Sequence, residues 1–242
     1  MRELAGKRYW LIGASEGLGR ALAQQMSAAG CDLVLSARNA EALETLSRDL
    51  PVPAVPLPLD IRDSAACARV GATLGPLDGM VYLAAVYWPM GVEEWNTEHA
   101  EAMLDTNLTG AVRAFGAVFP GMQAQGHGHL VFVGSLAGYR GLPRALGYGA
   151  SKAGVMSLAE TLRCELRGSG IDVQMAAPGF IRSRLTEKND FPMPQIMEPE
   201  AAAARLLRHM RGKRFACAFP RPFSLALRAA QFLPESLYYR LF

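Results

Sequence analysis

Tyr9-Trp10-Leu11-Ile12 runs straight into Gly13-Ala14-Ser15-Glu16-Gly17-Leu18-Gly19-Arg20, and an Ala-rich stretch follows. Four apolar residues closed by a glycine predict a strand buried on both faces. The glycines are spaced GxxxGxG between that strand and a helix. A dinucleotide site needs three things at such a place: a tight turn, close backbone approach to the diphosphate, and close helix–strand packing. The helix start adds free N–H groups and a positive dipole end. The bland alternative is an ordinary turn before a helix.

Outward from this loop, two kinds of segment alternate. Apolar runs at Leu33–Leu35, Met80–Ala85, Leu130–Val133 and Ile171–Ala176 predict strands, and Lys213–Phe219 is a further candidate. Helical stretches are expected at Gly19–Ala29, Glu41–Leu50, Ser64–Leu74, Glu98–Gln125 and Ala150–Arg167. This alternation predicts an α/β fold: a doubly wound parallel sheet with helices on both faces. Pro51-Val-Pro53-Ala-Val-Pro56-Leu-Pro58 falls where a third strand belongs. Proline removes a ladder donor, so this strand belongs at an edge, its place in the order 3-2-1-4-5-6.

Composition agrees. The 242 residues are 50% hydrophobic and 19% charged, with net charge +3. Such a chain is neither disordered nor a dedicated nucleic-acid binder. Four cysteines without CxxC spacing predict no zinc site and no disulfide framework, hence a reducing, cytoplasmic location. No apolar run reaches the roughly 18 residues of a membrane span.

Gly13-Ala-Ser15-Glu-Gly17 also matches GxSxG, the nucleophile elbow of serine hydrolases. That elbow follows several strands, whereas this one follows the first. None of His99, His127, His129 and His209 has the context of a triad partner. The second strand ends Leu35-Ser36-Ala37-Arg38-Asn39, without the Asp or Glu that holds ribose hydroxyls in NAD sites. Arg38 there suits a 2′-phosphate and points to NADP(H) rather than NAD(H). Glu16 opposes this mildly, and a solvated Arg38 is the plainer alternative.

Tyr148-Gly-Ala-Ser-Lys152 places Tyr and Lys four apart, on one helical face. A phenol near pKa 10 is a weak acid–base group at neutral pH, and a neighbouring ammonium is expected to lower it. Ser135 follows the fifth strand and reaches the same crevice.

With these pieces the chain resembles the short-chain dehydrogenase/reductase family over roughly residues 5 to 183. The matching residues are Gly13-Ala-Ser-Glu-Gly17-Leu-Gly19, Asp60-Ile61, Asn107 in Thr106-Asn-Leu-Thr-Gly110, Ser135, Tyr148 with Lys152, and Pro178-Gly179. The resemblance implies a single-domain Rossmann fold and reversible hydride transfer between NADP(H) and a carbonyl or alcohol. It implies Tyr148 as acid/base, Ser135 holding the substrate oxygen, and Lys152 tuning Tyr148 and binding the nicotinamide ribose. Asn107 would keep a helix kink for a proton-relay water. Asp60 and Ile61 would contact adenine, and Pro178, Gly179 and Ile181 would lie along the nicotinamide. A homodimer or homotetramer is implied by resemblance alone.

The family's Asn-Asn-Ala-Gly reads Tyr82-Leu83-Ala84-Ala85 here; Ala84 and Ala85 are expected beside the cofactor, and Ala85 in place of Gly narrows the backbone's approach to it. This departure motivates the alternative of a catalytically weak NAD(P)-binding regulator. The catalytic domain is expected to span 1–219, with an apolar lid at about 182–210 suggesting an apolar substrate. Residues 220–242 form an amphipathic tail in which Leu225, Ala229, Phe232 and Leu233 are expected to share one helical face. Packing on the protein is preferred for it over peripheral membrane contact. Arg140 and Arg144 are expected to be surface residues or anion contacts.

Overall fold

The computed structural model describes residues 1–241; Phe242, the last residue of the expected tail, lies outside the described residues. The strands are β1 (Arg8–Ile12), β2 (Asp32–Ser36), β3 (Val55–Pro56), β4 (Gly79–Tyr82), β5 (Gly128–Val133), β6 (Ile171–Pro178) and β7 (Ala216–Phe219). Among the described residues they form one seven-stranded sheet, ordered β3-β2-β1-β4-β5-β6-β7, with every pairing parallel. The helices are α1 (Gly17–Ala28), α2 (Ala40–Asp49), α3 (Ser64–Thr73), α4 (Thr97–Met103), α5 (Gly110–Gln125), α6 (Leu146–Glu165), α7 (Pro199–Arg211), α8 (Phe223–Ala230) and α9 (Glu235–Leu241). This is a doubly wound Rossmann fold.

The continuous apolar runs follow from having two cores. Tyr9 and Leu11 of β1 pack with Leu22, Leu43 and Leu206 on one face. Trp10 and Ile12, pointing the other way, pack with Cys67, Ala114 and Val155 on the opposite face. A strand covered on both sides has no solvent-facing positions to make polar. The proline-rich third strand shrinks to two residues at the sheet edge, as its missing donors require. Between β1 and β4 the strand order reverses: the chain runs outward from β1 through β2 to β3, then returns to β4 on the other side of β1, and a crevice opens there at the strand ends.

Four segments depart from expectation. Strand β4 ends at Tyr82 rather than Ala85; Leu83 N–H still reaches the Ile12 carbonyl at 2.9 Å, and beyond it Asn107 takes both backbone groups of Val86: Oδ1 accepts from its N–H at 2.8 Å and Nδ2 donates to its carbonyl at 3.0 Å. The single helix expected over 98–125 is divided between α4 and α5 by a wider π-type turn at Leu104–Thr109, centred on Asn107. The expected lid at 182–210 also divides. Its second part is α7, whose Ala202, Ala203, Leu206 and Met210 are buried against the sheet. Their helical spacing, with Pro199 at the helix start, was the signal for this. Residues 182–198 form the part of the expected lid that precedes α7, with Met197 packed against the core.

The tail is the fourth. Helix α8 stops at Ala230, so Phe232 and Leu233 leave the predicted face, and Leu225 and Phe232 remain exposed. The tail is fastened by other groups. Arg140 Nη1 lies 3.1, 3.3 and 2.8 Å from the carbonyl oxygens of Ala230, Gln231 and Leu233. Arg140 is therefore a tail anchor rather than a free surface charge. Arg144 pairs with Asp190 at 3.3 Å.

Candidate active site

Every residue expected to touch the dinucleotide lines one cleft of about 290 Å³ at the carboxyl ends of the strands. Gly13, Ser15, Glu16, Gly17, Leu18 and Gly19 supply the loop after β1. Arg38, Asp60 and Ile61 follow β2 and β3, while Ala84 and Ala85 follow β4. Tyr148 and Lys152 come from α6, and Pro178, Gly179 and Ile181 from the end of β6 and beyond.

The loop can fold this tightly only with glycine at two points. Gly13 has φ +95°, and a Cβ there would meet the backbone nitrogen of Ala84 at 2.6 Å. A Cβ on Gly19 would lie 2.0 Å from the carbonyl oxygen of Gly13. Helix α1 begins without a side-chain cap, and its first-turn residues line the cleft. A cradle closed to side chains, at an uncapped helix start, fits a dinucleotide's diphosphate. Glu16 does not stand free in it, since its carboxylate is paired with Arg184 of the 182–198 segment.

Asp60 is committed to a neighbour that the motif reading overlooked. Arg62 Nη2 and Nε bracket its carboxylate at 2.6 and 3.1 Å. That pairing, helped by Arg38, holds the Asp60 carboxyl below the usual range. The pairing leaves Asp60's carboxylate less free for adenine than expected. Arg62 itself lines the cleft, as do Thr106, Ser183 and Thr186. The nearby Asp-x-Arg spacing was the available signal for Arg62, and the Thr106-Asn107 stretch for Thr106; Ser183 and Thr186 had none.

The substituted Tyr82-Leu83-Ala84-Ala85 segment is braced by different chemistry. The buried Tyr82 hydroxyl donates to the carbonyl of Thr106 at 2.5 Å, tying β4 to the π-type turn. Asn107, fully buried, holds Val86 from that same turn and donates to Ser151 Oγ at 3.0 Å. The turn thereby links the loop after β4 to α6.

Ser135 begins a short 3₁₀ turn past β5, and its Oγ accepts from Ala137 N–H at 3.2 Å. Tyr148 and Lys152 stand one turn apart on α6. Lys152 Nζ donates to the carbonyl of Val133 at 3.0 Å and lies 5.8 Å from the centre of the Tyr148 ring. Tyr87 packs edge-on against the other part of that ring at 4.8 Å. Burial pushes the Tyr148 phenol up, and its hydrogen bond with Ser135 draws it part of the way back. Burial also pushes Lys152 down to about 8. The expected lowering of the phenol by Lys152 does not figure here: burial raises it, and Ser135 is the group that draws it back.

A family model described as short chain dehydrogenase matches residues 7–192. The chain belongs to the short-chain dehydrogenase family. An uncharacterized oxidoreductase of Myxococcus xanthus is 34% identical over 245 residues, spanning 98% of this chain and 97% of that one. A sulfoacetaldehyde reductase of Chromohalobacter salexigens is 36% identical over 185 residues, 73% of each chain. The crystal structure of a short chain dehydrogenase from Burkholderia cenocepacia in complex with NADP superposes with TM-score 0.88 at 21% identity, covering 100% of this chain and 99% of that one. This short-chain dehydrogenase is accordingly an oxidoreductase acting between CH–OH and C=O, on a fold built for NAD(P).

Proposed function

We propose that this short-chain dehydrogenase transfers hydride between NADP(H) and the carbonyl or alcohol carbon of a small apolar substrate, with Tyr148 as acid/base. One observation carries the reading. Tyr148 lines both the dinucleotide cleft and a second, apolar cavity that also contains Ser135. Proton donor and oxygen-holding hydroxyl therefore stand where the two compartments meet.

A bound nicotinamide would supply the hydride in reduction and take it up in oxidation. Ser135 Oγ orients the substrate oxygen, and Tyr148 gives it a proton in reduction or removes one in oxidation. A phenol held protonated suits the reducing direction. Lys152, held in place through the Val133 carbonyl, would meet the nicotinamide ribose of a bound dinucleotide. Asn107 keeps the π-type turn open beside α6, where a water can relay protons. Arg38 makes no ion pair among the described residues and is available for a 2′-phosphate. The NADP bound by the Burkholderia cenocepacia protein supports the same choice.

The alternative is a catalytically weak NAD(P)-binding regulator, drawn from the altered 82–85 segment; the Tyr82 and Asn107 braces weigh against it, while Ala85 still stands in the family's glycine position. We place the protein in the cytoplasm, consistent with its free cysteines, and as a homodimer or homotetramer, for which exposed Leu104, Val112 and Leu146 offer apolar surface. No helix among the described residues is long and apolar enough to cross a membrane.

The test is NADPH oxidation with aldehydes and ketones, followed at 340 nm. Tyr148→Phe should lower kcat roughly 10²- to 10⁴-fold while NADPH still binds. Full turnover in that variant would refute the proton role.

A further inference from the structure

The second cavity beside Tyr148 has a volume of about 160 Å³. Its walls come from separate stretches: Leu142 and Pro143 before α6, Phe180 after β6, Phe191 of the 182–198 segment, and Phe223 and Leu227 of α8. Phe180 stacks on Phe223, with centres 5.9 Å apart, and meets Phe191 edge-on at 6.1 Å. None of the described side chains lining it is charged. Its peripheral polar groups are already paired: Tyr87 hydroxyl donates to Asn189 Oδ1 at 2.9 Å, and Thr186 Oγ1 donates to the Ile181 carbonyl at 2.8 Å. Ser135 and Tyr148 remain as its polar end.

Such a cavity selects by size and charge. An apolar cavity of about 150 Å³ holds one benzene ring. An anionic substituent would lose its water here without gaining a cation. We propose that this cavity takes the neutral, benzene-sized arm of a carbonyl substrate, and that Arg140 sets its shape as a positioning residue. The proposal rests on the reductase reading above.

Arg140 touches neither the cavity nor the cofactor cleft. Its guanidinium meets the carbonyls that end α8, where the helix dipole is negative. It also stacks 3.7 Å over the Tyr238 ring, and Tyr238 hydroxyl donates to the Gly141 carbonyl at 2.5 Å. One side chain thus joins the loop that bears Leu142 and Pro143 to the helix that bears Phe223 and Leu227. Loosening that joint moves two walls of the cavity together.

The full-length protein with NADPH is assayed on benzaldehyde, acetaldehyde and the anion glyoxylate. We expect kcat/KM for benzaldehyde to exceed the other two by about tenfold or more. Arg140→Ala should raise KM for benzaldehyde about tenfold with kcat within about twofold, and Arg140→Lys should fall between. Phe223→Trp should lower the benzaldehyde-to-acetaldehyde ratio of kcat/KM about tenfold. General loss of folded protein would instead lower kcat for both aldehydes alike, and that pattern, or an unchanged KM, overturns the role of Arg140. Equal kcat/KM for benzaldehyde and acetaldehyde overturns the size assignment, and a preference for glyoxylate overturns the charge assignment.

A readout without turnover separates this from the parent reading. Saturation-transfer NMR should show toluene bound to the native protein and displaced in Phe223→Trp. Toluene bound without turnover of any carbonyl refutes the reductase reading but supports the cavity. Turnover without toluene contact refutes the cavity.

Discussion

Lys152 Nζ donates to the main-chain carbonyl of Val133 at 3.0 Å, so the ammonium of α6 is tied to the last residue of β5. This bond fixes where the lysine sits, but one carbonyl does not replace its water. Burial pushes Lys152 from 10.5 to about 8. A base whose folded pKa is depressed costs stability at any pH below the folded value. That cost is relieved as pH rises towards the unfolded value.

Lys152→Met should therefore stabilise the fold while disabling the enzyme. Removing the buried charge is worth roughly 3 kcal/mol at pH 7, and the stranded Val133 carbonyl returns about 1. A net gain of about 2 kcal/mol is expected by urea denaturation at pH 7, shrinking as pH rises from 8 towards 10.5. Turnover of NADPH should fall at the same time. A less stable variant at pH 7 would show that the lysine is structural rather than an imposed functional cost.

Arg38 and Arg62 lie at the same end of the cleft but differ in freedom. Arg62 is bound to Asp60 at 2.6 Å, and Arg38 has no such partner among the described residues. Arg38→Ala should weaken NADPH roughly 10- to 100-fold, the value of a charge-assisted bond, and NADH less than about threefold. Arg62→Ala should cost NADPH less. Fluorescence titration of both nucleotides measures this, and equal losses for NADPH and NADH would remove the case for Arg38.

Two glycines on helices of this fold predict opposite signs. A Cβ on Gly19 would stand 2.0 Å from the Gly13 carbonyl, a backbone atom that cannot move without opening the loop. Gly19→Ala should cost about 1–3 kcal/mol and weaken nucleotide binding. Gly116, inside α5, has nothing within 4 Å of its Cβ position. Gly116→Ala should stabilise by about 0.5–1 kcal/mol with binding unchanged. Thermal melts and NADPH titration of the pair provide the comparison.

His129 is buried at the base of the sheet, with Nδ1 2.8 Å from the Tyr9 hydroxyl and Nε2 2.8 Å from Gln174 Oε1. Burial, with Arg2 nearby, pushes it down to about 3. Below pH 6.5 the unfolded chain takes up a proton that the folded one refuses. Stability should consequently fall as pH falls, by about 2 kcal/mol from this group between pH 7 and 5. His129→Gln should flatten that slope in urea titrations at the two pH values; an unchanged slope would assign acid sensitivity elsewhere.

The sheet, its order and the cofactor crevice were legible because their signals are local. A strand covered on both faces must be continuously apolar, as in Tyr9–Ile12, and a backbone that must touch backbone must be glycine, as at Gly13 and Gly19. Two side chains that share a helical face stand three or four apart, as the proposed pair Tyr148 and Lys152 do. Helix α7 carries an equally local signal in the spacing of Ala202, Leu206 and Met210.

The remaining features join residues with no fixed spacing. Arg140 meets Ala230 across 90 positions, Glu16 meets Arg184 across 168, and Tyr82 reaches Thr106 across 24. Nothing in either partner's neighbourhood announces such a pairing, since an arginine before an α6-type helix is as compatible with solvent as with a carbonyl. The sequence by itself determined the sheet, the glycine cradle and the Ser135–Tyr148–Lys152 set, each through a period or a steric demand. Only the tertiary structure decided that Tyr148 is pushed up rather than down, and that the tail walls the cavity, because desolvation and long-range contact exist only once the chain has packed.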